Sequence, residues 1–205
     1  MNAPRRLSTA FLIVAMSTIS CSFTPSARLA DTSERFSPAF SPSASSGDAL
    51  EAARVLGRLH TGLLPDEVAR LGVAIVLESR RAGIPMELVL ALIQVESSGN
   101  AFAVSGVGAI GLMQLRPSTA EEVASRLGIR WMGPTTLFEP VTNVRLGVEY
   151  LRQLIERYDS VPTALAAYNW GPSRIGQKLR RGEAIPAAYS DKVMAKYHRP
   201  LSSAI

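Results

Sequence analysis

Glu96 closes an apolar run, Leu88-Val89-Leu90-Ala91-Leu92-Ile93-Gln94-Val95, and falls four residues after Leu92, eight after Leu88 and three after Ile93. At helical spacing these positions share a face, so the carboxyl is placed on an apolar stripe. Burial disfavours the charged form of a carboxyl, raises its pKa and lets it hold a proton near neutral pH. A general acid requires that. Ser97, Ser98 and Gly99 follow at once. A helix-end glutamate that curls out to solvent is therefore the competing reading, and position alone leaves both open.

The residues that follow are of a different kind. Ser105 precedes Gly106-Val107-Gly108-Ala109-Ile110-Gly111-Leu112-Met113-Gln114. So many glycines weaken a helix or strand, and they predict an irregular loop whose backbone can approach a ligand closely. Further on, Ala166-Ala167-Tyr168-Asn169-Trp170-Gly171-Pro172 reads as a helix of small residues broken at a tight turn, which offers Tyr168 at a helix end. No metal site or cofactor is expected. His60 and His198 are far apart, the lone cysteine Cys21 is no ligand cluster, and neither a phosphate-binding loop nor a dinucleotide fingerprint occurs.

The elements that would position these groups are helices. Leu50, Ala53, Leu56 and Leu59 fall three apart and predict an amphipathic helix ending before Thr61-Gly62. Pro65-Asp66-Glu67 opens a second, with proline and acids in its first turn, that runs to about Ala82-Gly83. Pro85 opens the third, which carries Glu96 and ends at Gly99. Pro117 opens a fourth, in which Thr119 and Glu122 have capping-box spacing. A fifth, from about Thr142 to Tyr158, sets Leu146, Tyr150, Leu151, Leu154, Ile155 and Tyr158 along one stripe, with Tyr150 read as core. Pro162 and Pro172 begin two short helices, and Ala187 to Tyr197 suggests a last one. Almost no run suits a strand, so the expected class is all-α.

In this order and spacing, four blocks resemble the SLT-type lytic transglycosylases, a family related to goose-type lysozyme. They are Glu96-Ser97, Gly-Leu-Met-Gln at Gly111 to Gln114, Asn143-Val144-Arg145-Leu146-Gly147-Val148-Glu149-Tyr150-Leu151, and Ala-Tyr-Asn-x-Gly-Pro at Ala167 to Pro172. The resemblance covers roughly residues 84–181 and implies a lysozyme-like helical fold with a Gly-rich active-site loop. Carried over by position, it makes Glu96 the catalytic acid/base, with Ser105, Gln114 and Tyr168 in or beside the site and Met113 and Asn169 shaping a groove. Gln114 and Tyr168 are the better candidates, because amide and phenol groups can hydrogen-bond an acetamido or hydroxyl group. Met113 also reads as packing, and Asn169 as holding the turn. Two residues depart from the family pattern. Trp170 stands where alanine is usual, either as an aromatic face for a sugar or, the favoured reading, as core or lid packing. Glu139-Pro140 stands where Asp-Pro is more common.

Most glycosidases use two carboxylates. Only Glu96 is convincing here, since Glu121 and Glu122 read as first-turn residues of an exposed helix. One acid suffices in the mechanism the resemblance implies. Glu96 protonates the glycosidic oxygen between N-acetylmuramic acid and N-acetylglucosamine while the muramyl acetamido group assists, then accepts the proton of the muramyl 6-hydroxyl as a 1,6-anhydro ring closes. The rival readings are a hydrolase of goose-lysozyme type and an inactive glycan-binding or secretion-apparatus scaffold. The implied partner is peptidoglycan, and the implied assembly is a monomer.

The remaining features concern address and charge. Arg5 and Arg6 precede an apolar run from Ala10 to Ile19, followed by small residues. That run is too short to span a bilayer and reads as a secretory signal, so the expected location is the periplasm. Residues 1–21 are assigned to this signal, 22–47 to a Ser/Pro/Ala-rich linker and 48–205 to the catalytic domain. Cys21 sits where lipoprotein signals place a lipidated cysteine, although Thr18 stands where leucine is usual. Lipidation with membrane anchoring and ordinary cleavage nearby both stay open. Cutting after Ala30 removes Arg5, Arg6 and Arg28 and lowers the formal charge from +5 to +2. That is a weak footprint for nucleic acid, so none is expected as a partner. The late basic residues Arg174, Lys178, Arg180, Arg181, Lys192, Lys196 and Arg199 read mainly as a solvated face.

Overall fold

A computed structural model describes residues 46–199, so the signal assignment, the linker up to residue 45 and Cys21 lie outside the described residues, while Ser46 and Gly47, assigned to the linker, open the first helix. Where the sequence places prolines at helix starts, the helices begin. They are α1 (Ser46–Gly57), α2 (Pro65–Ala82), α3 (Met86–Ser97), α4 (Pro117–Leu127), α5 (Pro140–Tyr158), α6 (Val161–Trp170), α7 (Pro172–Arg180) and α8 (Ala188–Tyr197), with a 3-10 turn at Pro134–Phe138 before α5. Among the described residues there is no strand, only isolated bridges pairing Ile110 with Val104 and Leu115 inside the Gly-rich loop. The all-α expectation holds.

Local chemistry explains the boundaries. The Glu67 carboxylate reaches back to accept from the Leu64 N–H at 2.8 Å, satisfying an orphan donor at the start of α2. Glu139 caps α5 by accepting from Val141 N at 3.1 Å and from Thr142 N, so the glutamate does what the usual aspartate of Asp-Pro could do. Gly83, Gly128 and Asp159 close α2, α4 and α5 in the left-handed conformation.

Three details differ from the sequence reading. Thr119 and Glu122 form no capping box, because α4 starts earlier, at Pro117, and Arg116 is its N-cap residue. Glu121 and Glu122 accordingly sit in the second turn rather than the first, both exposed. In α1 the buried face is Ala52, Val55 and Leu56, while Leu50 is 52% exposed. A spacing of three drifts around a 3.6-residue helix, and packing on α2 selects the neighbouring stripe.

The third difference bears on function. α3 is not amphipathic, because Met86 and every residue from Leu88 to Ile93 is buried. A helix that is apolar all round has to run through the interior. It packs between α1 and α2 on one side and α8 on the other, while α5 joins α2 to α6 and α6 meets both α7 and α8. Besides Glu87 in its first turn, its last turn, Gln94 to Ser97, reaches partial exposure. The interior helix therefore delivers Glu96 to the edge of the core.

Candidate active site

Glu96 emerges at the C-terminal end of α3 facing α8, and the Tyr189 hydroxyl of α8 donates a hydrogen bond to Glu96 Oε1. Burial pushes the Glu96 pKa up, and the Tyr189 hydrogen bond and the Lys192 ammonium pull against that push. Burial wins, so of the two sequence readings the desolvated carboxyl is the one present. Lys192 belongs to the late basic stretch, and its charge acts on Glu96 instead of serving only a solvated face. Tyr168, partly buried, feels the Glu96 charge as well, and its phenol is held far above its ordinary pKa by burial first and Glu96 second. Glu96, Tyr168 and Tyr189 thus form one electrostatic cluster drawn from α3, α6 and α8.

The Gly-rich loop is fastened beneath this cluster by Asn143 of α5. Its side chain is fully buried, and Oδ1 accepts from Met113 N at 2.9 Å while Nδ2 donates to Ile110 O at 3.0 Å and Leu137 O at 2.9 Å. Gly111 has φ +81°, and a Cβ there would lie 2.1 Å from Asn143 Nδ2, so only glycine lets the loop come this close. Gly147 of α5 answers a similar demand, because an added Cβ would meet Met113 Sδ at 2.4 Å.

Each candidate then finds its place. Ser105 closes the loop tip, accepting from Ala109 N at 3.0 Å through its hydroxyl. Gln114 sits at φ +47°, a strained conformation for a residue with a side chain. Its Nε2 donates to Gly111 O at 2.9 Å and Ala103 O at 3.2 Å, which spends both donors on the loop. Its Oε1 is the atom left to meet a ligand. Met113 is fully buried against Gly147, so its side chain packs instead of lining a groove, and its carbonyl accepts from the Tyr168 hydroxyl at 2.8 Å. Tyr168 is thereby locked in place. Asn169 is exposed on the wall of a groove of about 340 Å³ that also takes in Gln114, Arg116, Tyr150, Tyr168 and Trp170.

Two aromatic assignments change. Tyr150 is not simply core. It is half-buried at the groove, 5.2 Å from the Tyr168 ring, and burial pushes its phenol up to about 12. Trp170 does not close the core, since it is 41% exposed at the groove and carries the Arg174 guanidinium 4.4 Å above its ring. Tyr189 escaped the sequence reading altogether. A signal existed, because Tyr189 and Val193 fall four apart on the buried side of a short helix, and a buried tyrosine hydroxyl needs a partner.

A carboxyl whose pKa burial raises thus stands at the end of an interior helix in an all-helical protein, and Tyr168, which feels its charge, also lines the groove. The family model described as Transglycosylase SLT domain matches residues 74–189, and the chain belongs to that family. The transglycosylase of Enterobacteria phage PRD1 is 40% identical over 96 residues, covering 47% of this chain and 33% of the phage protein. The putative soluble lytic murein transglycosylase of Haemophilus influenzae is 37% identical over 99 residues, 48% of this chain and 17% of that one. The X-ray structure of an inactive Glu-to-Gln mutant of lytic transglycosylase Slt from Pseudomonas aeruginosa superposes with TM-score 0.50 at 34% identity, over 61% of this chain and 20% of its own. The lysozyme-like helical fold is thus the one found. The chain spans a third or less of the length of these relatives.

Proposed function

We propose that this chain is a peptidoglycan lytic transglycosylase that breaks the β-1,4 bond between N-acetylmuramic acid and N-acetylglucosamine and leaves 1,6-anhydromuramyl ends. The observation that carries this reading is the Glu96 carboxyl, pushed up by burial, hydrogen-bonded by Tyr189 and electrostatically coupled to Tyr168. Family membership supports the reaction class.

The two halves of the reaction ask opposite things of one carboxyl. Burial favours the protonated form of Glu96 at rest, the form that can give its proton to the glycosidic oxygen. Once the proton is given, the Tyr189 hydroxyl and the Lys192 ammonium stabilise the carboxylate that forms. That carboxylate then takes the proton of the muramyl 6-hydroxyl. The muramyl acetamido group assists departure, and Gln114 Oε1 and the exposed Asn169 side chain are among the protein groups able to hydrogen-bond sugar substituents in the groove. Among the described residues, Glu96 is the one carboxylate whose charge bears on this cluster of Glu96, Tyr168 and Tyr189, which favours ring closure over activation of water.

Digestion of purified sacculi followed by mass analysis of the released muropeptides tests this. Anhydro ends are expected. Ends heavier by one water identify a goose-lysozyme-type hydrolase instead, and glycan binding with no release identifies an inactive scaffold. Export through the signal at residues 1–21, with Cys21 either lipidated or removed, belongs to the same proposal, and the mass of the mature N-terminus decides it. No helix of the described residues is long and apolar enough to cross a membrane.

A further inference from the structure

The groove has a charge bias that bond cleavage by Glu96 does not require. Arg116 lines its α4 wall, Trp170 lines its α6 wall, and Arg174 of α7 lies 4.4 Å over the Trp170 ring. Arg81, Arg126 and Arg152 are each held by a glutamate. Among the described residues, neither Arg116 nor Arg174 has a carboxylate partner. A guanidinium held over an indole face is kept in place without using its N–H fork, and that fork matches a carboxylate. The helices add the same sign. α4 and α7 both begin at this groove, where Ser118, Thr119 and Pro172 line it, so two positive helix ends face the ligand.

Trp170 is also the position at which the chain leaves the Tyr-Asn-Ala-Gly-Pro form. Its exposure shows that the larger side chain was not added to fill the core. An indole face packs against the apolar C–H surface of a sugar ring, and the Trp170 ring, which lines the groove, also carries the Arg174 guanidinium.

We propose that Trp170, Arg174 and Arg116 form a carboxylate-recognising subsite, by which the groove selects muramyl glycans bearing a free carboxylate over a neutral N-acetylglucosamine polymer of equal length. The carboxylate is supplied by the muramyl lactyl arm or by its stem peptide. This rests on the groove being a glycan site, as proposed above, but it concerns selection and not the reaction.

Titration calorimetry on the full chain carrying Glu96→Gln, which prevents turnover, tests it with three oligosaccharides of equal length. One is a neutral N-acetylglucosamine oligomer. Another is a peptide-free N-acetylglucosamine–N-acetylmuramic acid oligomer with free lactyl carboxylates, and the third is its peptide-bearing form, in which those carboxylates are amidated. At least one acidic ligand is expected to bind about tenfold more tightly than the neutral one, and added salt should erode the advantage. Whichever acidic ligand carries the preference identifies the source of the carboxylate. Arg174→Gln should cut the preference to within about threefold with the circular dichroism spectrum unchanged, and Trp170→Ala should weaken all three ligands. Equal affinities, an absence of binding, or a preference that survives Arg174→Gln would overturn the subsite. Release of reducing instead of anhydro ends by the unmodified chain would overturn the reaction and leave this preference standing.

Discussion

Glu96 and Glu149 are both carboxylates drawn out of solvent on helices, and their pKa values move in opposite directions. Glu149, 6% exposed on α5, accepts from Arg152 at 2.7 and 3.0 Å and from Gln153 at 3.0 Å, with Arg81 at 3.8 Å. The Arg152 hydrogen bonds outweigh its burial and hold it below the usual carboxylate range. Glu96 meets a neutral phenol and a more distant ammonium, and burial prevails. Burial alone therefore does not make an acid. The partner decides, and the Arg152 guanidinium fork, on the same helix, turns a buried carboxyl into a fixed anion that Arg81 of α2 also meets.

The sharpest break of the comparison is Glu96→Gln, which keeps the shape and removes the proton. Release of anhydromuropeptides from sacculi is expected to fall by roughly 10²–10⁴-fold, the usual contribution of a general acid/base, with the melting temperature not lowered. Activity within a few-fold of the unmodified chain would remove Glu96 from the mechanism.

Arg152→Met attacks the other carboxylate. It leaves Glu149 buried with only Gln153 and Arg81, and unfolding free energy should drop by about 1–3 kcal/mol, less than for a fully buried pair because Arg152 is itself partly exposed. Urea denaturation reads the loss directly. Muropeptide release per folded molecule should stay unchanged, since Glu149 exchanges no hydrogen bond or charge effect with Glu96, Tyr168 or Tyr189. A large loss of activity at unchanged stability would show that the two carboxylates are coupled.

How much of this could be read in the chain follows from how far each cause reaches. Helix starts were legible at Pro65, Pro117 and Pro172 because proline and caps act within a turn. The all-round burial of α3 was legible only as a stripe, because periodicity reports one face and enclosure depends on α1, α2 and α8 packing around it. Glu96 stood out through its apolar neighbours, whereas Tyr189, 93 residues later, carries no local mark of the hydrogen bond it makes. Met113 and Gln114 are adjacent, yet one packs on Gly147 and the other lines the groove. The left-handed backbone at Gln114 turns them apart, and no pattern in side-chain type foretells it. The exposure of Trp170 was hidden for a similar reason, since indole is equally suited to a core and to a groove.

Tyr189→Phe sharpens the comparison by removing the one hydrogen bond that moves Glu96 towards Glu149. That bond lowers the Glu96 pKa against its burial, so its loss should raise the pKa further. The acid form then persists to higher pH, and the alkaline limb of the kcat/KM profile should shift upward. Turnover should fall several-fold, because the carboxylate formed midway loses a donor. A limb that stays in place would mean that the profile reports another group.

The smallest effect lies in stability, and it separates the two carboxylates by sign. Glu149 has a folded pKa below its unfolded value, so its contribution is present at neutral pH and is lost as pH falls through the folded value. Glu96 has a folded pKa above its unfolded value, so between the two values the folded state binds more protons and stability declines as pH rises. Glu96→Gln removes that decline. The variant's melting temperature, relative to the unmodified chain, should therefore climb as pH rises from about 4 through the folded pKa of Glu96 and then level off. The opposite slope would mean that Glu96 is held as an anion like Glu149, and a resting anion cannot be the proton donor.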